Sequence, residues 1–173
     1  MNGAPGGERL PDSRMTDPAQ SLRNAVERAL PRLLALGEDT SRLRPAPGRW
    51  SPREVIGHLI DSAVNNDARF VRGALGEDLV FAGYDQDAWV RVQGYHAIPW
   101  SVLVPLWAGL NHHVADIMAA APAEARGRPH VRHNLDAIAW RRFPPDVPAT
   151  LDEFMRDYVG HLEHHLAQIP GIG

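Results

Sequence analysis

The sequence predicts an all-α fold, specifically a four-helix bundle with long crossover connections. Apolar residues recur at helical spacing in four separate stretches of the chain. Three of these stretches begin with residues typical of a helix N-terminus. The segments between the stretches are rich in proline and glycine, and no internal repeat occurs. In such a bundle, inward side chains from different helices can build a ligand or metal site.

The composition is that of a soluble globular protein and excludes several classes of function. The 173 residues are 44% hydrophobic and 23% charged, which fits one domain with an ordinary core. A net charge of −3 with scattered arginines gives no reason to expect nucleic acid as a partner. The lack of cysteine excludes disulfides and a protein thiol nucleophile. No apolar run suits a membrane span or a signal peptide, so we expect a cytoplasmic location and no membrane association.

The chain is expected to consist of a short tail and one bundle domain. Residues 1–16 are rich in glycine, proline and charge, and they predict a disordered tail. Met15 is an alternative start to Met1. Residues 17–169 are predicted to form one domain.

The first helix is predicted to begin at Asp17, an N-cap residue with proline at the first helical position after it. Pro31 is expected to bend this helix, which ends near Gly37. The proline-rich residues 44–48 cannot be helical and form a linker to the second helix.

The second helix is predicted from the capping box of Ser51 and Glu54, and it extends to about Leu75. His58 heads a polar stripe that borders the apolar face of this helix. The other members of the stripe are Ser62, Asn65 and Arg69. This pattern has two interpretations, a solvated polar face or a row of residues that bind a ligand.

The middle of the chain combines one further helix with two long connections. Residues 77–99 are predicted to be irregular, with aromatic residues and aspartates that either line a site or pack within the loop. A third helix is predicted over residues 101–120, which place apolar residues on one face. Residues 121–149 contain six prolines or glycines and are predicted to be a long crossover.

The fourth helix begins at a second capping box, formed by Thr150 and Glu153. His161 and His165 lie one turn apart at the edge of its apolar face, whereas His164 points away from that face. Two imidazoles at this spacing can bind one metal ion together. The alternative is a hydrogen-bonded polar rim on a core helix, and this helix alone does not decide between the two.

Three stretches together resemble the DinB/YfiT-like superfamily of metal-binding four-helix bundles. They are residues 47–51 (PGRWS) with 55–62 (VIGHLIDS), residues 84–89 (YDQDAW), and residues 158–169 (YVGHLEHHLAQI). Their order and intervals fit the family from about residue 20 to residue 169. In this family one histidine of the second helix and two of the last helix hold a divalent metal ion. The resemblance therefore implies that the metal ligands are His58, His161 and His165.

The same resemblance implies a function. The YfiT branch is similar to a transferase that uses bacillithiol, mycothiol or glutathione against small electrophiles, and there Asn65 and Arg69 would bind the thiol cofactor. Three imidazoles on zinc, nickel or iron leave an open position, which is typical of catalytic sites. Hydrolysis by metal-activated water is an alternative, and a non-catalytic metal-binding bundle of the stress response is another. The expected partners are a small-molecule thiol, an electrophile and a second copy of the chain.

Overall fold

Four long helices make up most of the structure, a computed structural model that describes residues 16–172. In chain order the helices are α1 (Pro18–Ala35), α2 (Pro52–Ala74), α3 (Gln86–Gln93), α4 (Trp100–Ala120), α5 (Ala123–Gly127), α6 (Leu135–Ile138) and α7 (Leu151–Leu166). Two short strands, β1 (Pro129–His130) and β2 (Ala149–Thr150), pair antiparallel. The predicted all-α four-helix bundle is therefore confirmed. The predicted tail and the choice of start lie outside the described residues, Thr16 excepted.

Three of the four long helices begin where the sequence predicted. Asp17 accepts a hydrogen bond from the backbone N–H two residues on, at 2.9 Å. Both predicted capping boxes form, Ser51 with Glu54 and Thr150 with Glu153. These side chains satisfy backbone N–H groups that a helix N-terminus leaves without a partner.

The four long helices form a ring in which consecutive helices are not always neighbours. α1 packs against α4 and α7, and α2 packs against the same two helices. α1 and α2 therefore face each other diagonally, and so do α4 and α7. A chain that joins diagonal helices must cross an end of the bundle, which explains the long connections over residues 36–51 and 121–150.

The space between these helices is filled by apolar side chains. The largest fully buried ones on the long helices are Leu22, Leu33, Ile56, Leu59, Phe70, Leu103, Trp107, Met118 and Leu151. Burying each such side chain stabilises the fold by about 1.5–3 kcal/mol. Despite this apolar content, no helix within residues 16–172 combines the length and composition that crossing a bilayer requires.

Arg53, whose side chain is fully buried, ties one end of the bundle together. Its guanidinium donates to the Ser41 hydroxyl at 2.9 Å and to the Ile98 carbonyl at 2.5 Å, and it pairs with the carboxylate of Glu38. Glu38 also accepts a hydrogen bond from the backbone N–H of Trp100 at 2.9 Å. This network joins α2 to the segment after α1 and to the start of α4.

Two regions contain secondary structure that the sequence did not predict. Residues 77–99 were expected to be irregular, but they contain α3, whose N-cap Asp85 accepts from the Ala88 N–H at 3.0 Å. An isolated helix of this length has only marginal stability in water. Here the burial of Val90 against the core stabilises it. The predicted crossover 121–149 contains α5, α6 and β1, and β2 begins at its last residue.

Candidate metal centre

The imidazoles of His58, His161 and His165 meet between α2 and α7. One ring nitrogen from each residue lies within 4.8 Å of those from the other two. Nε2 of His58 and Nε2 of His161 are 3.1 Å apart, and the three ring centroids are separated by between 4.5 and 5.1 Å. The structure thus brings together the three histidines that the sequence singled out. We call them the histidine cluster.

The antiparallel packing of α2 and α7 creates this meeting point. His58 contacts His161 near one end of the helix pair, and Phe70 contacts Phe154 further along, at 5.5 Å between ring centroids. His161 and His165 are one helical turn apart, so both rings project from α7 toward His58. His58 is buried, whereas the two histidines of α7 are half-buried.

Close packing at Gly57 fixes the turn of α2 that carries His58. A β-carbon at Gly57 would lie 2.1 Å from Cδ2 of Tyr95, so the tyrosine ring occupies the space that a side chain would need. The Tyr95 hydroxyl donates to Oδ1 of Asp61 at 2.6 Å, and Nε2 of Gln93 donates to the same oxygen at 3.0 Å. The end of α3 and the segment after it are thereby anchored to α2 beside the cluster.

We expect Gly57→Ala to lower the free energy of unfolding by about 1–3 kcal/mol, since Tyr95 cannot accept a methyl group there without moving away from Asp61. Thermal unfolding measures the effect. Gly109→Ala is the matched control, because nothing lies within 4 Å of a β-carbon added at Gly109 of α4. A Gly57→Ala protein as stable as the wild type would contradict the close contact.

Burial keeps the histidine cluster uncharged. Burial, together with the nearby His165 ring, lowers the pKa of His58 to about 3. Burial, with the neighbouring imidazoles, also lowers the pKa of His161 to about 3, and that of His165 to about 4. All three imidazoles are therefore neutral at neutral pH, which is the form that can donate a lone pair to a metal ion.

A cleft of about 460 Å³ opens on the histidine cluster. Its lining comes from α2, α7, the start of α3 with the segment before it, and the crossover around α6. Besides the cluster, the lining residues are Ser62, Asn66, Arg69, Gly83, Tyr84, Gln86, Ala137, Ile138, Ala139, Trp140, Phe154, Asp157, Tyr158 and His164. Arg69 lies three turns after His58 on α2, about 16 Å along the helix axis. The cleft therefore extends from the cluster at one end to Arg69 at the other.

The sequence profile of the DinB superfamily matches residues 21–169. The chain belongs to the DinB superfamily. The matched residues include the four long helices, the cleft and the whole histidine cluster, apart from the first turn of α1. The predicted resemblance is therefore confirmed.

A solved structure shares the fold of this DinB chain. It is YfiT from Bacillus subtilis, described as a probable metal-dependent hydrolase with an unusual four-helix bundle topology. The two chains are 21% identical with a TM-score of 0.71, and the match covers 96% of this chain and 92% of that one. No curated protein matches the chain significantly.

Of the two residues predicted to bind a cofactor in this DinB protein, Arg69 lines the cleft and Asn65 does not. The Asn65 side chain donates to the Asp61 carbonyl at 2.8 Å, outside the lining. Asn66 lines the cleft instead. Its Nδ2 donates to the Ser62 carbonyl at 2.9 Å, and its Oδ1 is buried without a hydrogen-bond partner among residues 16–172.

Arg69 is a buried cation without a carboxylate partner in the described part of the DinB chain. Its exposed fraction is 7%, and Nη2 donates to the Ala82 carbonyl at 2.6 Å. Its guanidinium carbon lies 6.0 Å from the centre of the Phe81 ring. Burial lowers its pKa, while Tyr84 opposes this shift. An arginine nevertheless stays protonated at neutral pH, so this end of the cleft carries an uncompensated positive charge.

Trp50, in the linker before α2, covers the histidine cluster from outside the cleft. Its ring centroid lies 5.1 Å from that of His58 and 6.1 Å from that of His165. Nδ1 of each of these histidines is buried and has no hydrogen-bond partner among residues 16–172. Ring packing by Trp50 therefore holds the two imidazoles. Trp50 precedes the helix and belongs to no periodic pattern, so the sequence alone does not assign it to the site.

Proposed function

We propose that this DinB protein binds one divalent metal ion through His58, His161 and His165. Two nitrogens at tetrahedral corners about 2.0 Å from an ion lie roughly 3.3 Å apart. The 3.1 Å between Nε2 of His58 and Nε2 of His161 is close to that value. The convergence of three neutral imidazoles is the observation that carries this proposal. Three protein ligands leave a position open for a substrate or water.

The function that the cleft supports best is thiol-dependent transfer to a small electrophile. A bound zinc, nickel or iron ion would supply the positive charge that stabilises a thiolate at neutral pH. The chain has no cysteine, so the thiol must come from a small molecule. The open side of the cluster faces the cleft, which has room for both the thiol and the electrophile.

Arg69 supports a thiol that carries a carboxylate, such as bacillithiol or glutathione. A buried guanidinium without a counter-ion favours an anion, which it can bind through paired charge-assisted hydrogen bonds. Asn65 was predicted to bind the thiol cofactor, and we assign this function to Asn66 instead. Oδ1 of Asn66 has no partner among residues 16–172 and can accept a hydrogen bond from the thiol. The thiol would thus extend from the histidine cluster to Arg69.

Hydrolysis is the second candidate function, and the description of YfiT as a probable metal-dependent hydrolase favours it. The same open position would then hold water, whose pKa a metal ion lowers. Metal analysis of the purified protein, combined with a screen of low-molecular-weight thiols against a common electrophile, separates the two functions. Turnover that saturates with one thiol supports the transferase, and turnover without any thiol supports the hydrolase.

We expect Arg69→Lys to weaken the binding of a carboxylate-bearing thiol by about 10-fold or more, because lysine cannot form paired hydrogen bonds to a carboxylate. Metal content and melting temperature should stay nearly unchanged. Arg72→Lys is the matched control on the same helix, since Arg72 is exposed and pairs with Glu77. Equal thiol affinity in the wild type and in Arg69→Lys would remove Arg69 from the site.

A further inference from the structure

Trp140 presents a large aromatic surface to the cleft. It belongs to the crossover, its exposed fraction is 46%, and it lines the cleft together with Ile138 and Ala139. These two neighbours are half-buried and apolar. We call the three residues the indole wall. The indole wall contrasts with the polar lining that α2 contributes.

A buried carboxylate holds the indole wall in position. Asp157 accepts hydrogen bonds from the backbone N–H of Trp140 at 3.0 Å and from that of Arg141 at 2.8 Å. The side chain of Arg141 adds a third contact to Asp157 at 3.3 Å. Asp157 is on α7, one turn before His161, so the wall is fixed relative to the histidine cluster. These bonds also occupy the Asp157 carboxylate, which leaves the wall without a free charge.

The indole itself lies at the histidine end of the cleft. A β-carbon at Gly160 would be 2.9 Å from Cζ3 of Trp140, so the indole packs directly on the α7 backbone. Its ring centroid is 5.3 Å from that of His164, with a tilt of 32° between the planes. Gly160 and His164 directly precede His161 and His165. The aromatic surface is therefore beside the cluster, whereas the backbone of Arg69 lies three turns along α2 from His58.

We propose that the indole wall is the subsite for the electrophile, and that it selects a flat, uncharged, aromatic or similarly apolar group. This inference rests on the proposed function, because it names the class of the second substrate. Aromatic rings stack favourably on an indole, and a rigidly held indole loses little conformational freedom on binding. An anionic group would instead bind Arg69, at the other end of the cleft. The wall thus places an apolar group next to the position where the thiol sulfur would bind.

Two thiols without a carboxylate test the subsite by binding alone. Benzyl mercaptan carries an aromatic ring beside its sulfur, whereas 2-mercaptoethanol carries a hydroxyl group, and neither engages Arg69. Calorimetric titration of the metal-loaded protein should show a preference for benzyl mercaptan of about 10-fold. Trp140→Ala should abolish most of this preference with the metal content unchanged, and Trp140→Phe should restore part of it.

Two further variants keep the test specific. Gly160→Ala should also reduce the preference, since the added methyl group displaces the indole while every aromatic residue remains. Trp89→Ala should retain the preference, because Trp89 is a half-exposed tryptophan outside the cleft lining. Equal binding of both thiols, or a preference that survives in Trp140→Ala, overturns the subsite alone. If the metal-loaded protein binds neither of these thiols nor glutathione, the proposed transferase function fails and the subsite fails with it.

Discussion

Replacing His58 with alanine is expected to remove nearly all bound metal and all metal-dependent turnover. Mutating a residue that only hydrogen-bonds to a metal ligand typically lowers metal affinity 10- to 100-fold. Removing a ligand itself should therefore lower metal affinity by more than about 100-fold. His161→Ala and His165→Ala should act in the same way, because two imidazoles hold a divalent ion poorly. Metal analysis after gel filtration, with the circular dichroism spectrum of each variant, measures the effect.

Two other histidines serve as controls for this experiment. His112 lies on α4, away from the cleft lining, and His164 neighbours His165 but contributes no nitrogen to the cluster. His112→Ala and His164→Ala should both retain the metal. An empty site in His164→Ala, or full metal content after the triple replacement of the cluster, would refute the assignment.

Arg53→Ala is expected to lower the free energy of unfolding by about 3–4 kcal/mol. The substitution leaves a cavity, removes the donor to the Ile98 carbonyl and leaves the carboxylate of Glu38 without its buried cation. The Ser41 hydroxyl loses one partner and keeps its bond to the Glu38 carbonyl. Buried groups left without a partner cost about 1–3 kcal/mol each. In a chain of this length the melting temperature should fall by roughly 10 °C.

The comparison variant for Arg53→Ala is Arg91→Ala, which removes an exposed arginine of α3. Its melting temperature should stay within about 1–2 °C of the wild type. Arg53→Lys should lose most of the same stability, because a single ammonium cannot reach all the acceptors that the guanidinium spans. If Arg53→Ala has the same melting temperature as the wild type, the buried network does not contribute to the free energy of unfolding.

Local signals explain why much of the fold could be predicted. Each capping box consists of two residues three positions apart in the sequence, so it can be recognised without knowledge of the fold. The boxes at Ser51 and Thr150 therefore predicted where α2 and α7 begin. Helical periodicity then placed His161 and His165 on one face, and a family resemblance supplied His58 as their partner. α3 was missed because eight residues hold barely two turns of pattern, and its stability comes from tertiary packing.

The rest of the candidate site depends on contacts between segments that are distant in the sequence. Trp50 precedes α2, and Trp140 lies in the crossover 121–149. Only the folded chain places both beside the cluster. Asn65 and Asn66 are adjacent in the sequence, and a helical wheel separates them by about 100°, with Asn65 in the stripe headed by His58 and Asn66 outside it. The packing of α2 against its neighbouring helices determines which of the two lines the cleft, and a wheel does not contain that information.

The histidine cluster joins residues 103 positions apart in the chain, His58 and His161. Closing so long a loop costs conformational entropy before any contact offsets it, so such contacts form late in folding. During synthesis α7 leaves the ribosome after the other three long helices, when α2 has had time to become helical. Until α7 emerges, a nascent chain carries His58 as its one member of the cluster. Only a chain whose early and late helices have already docked can present three converging imidazoles to an ion.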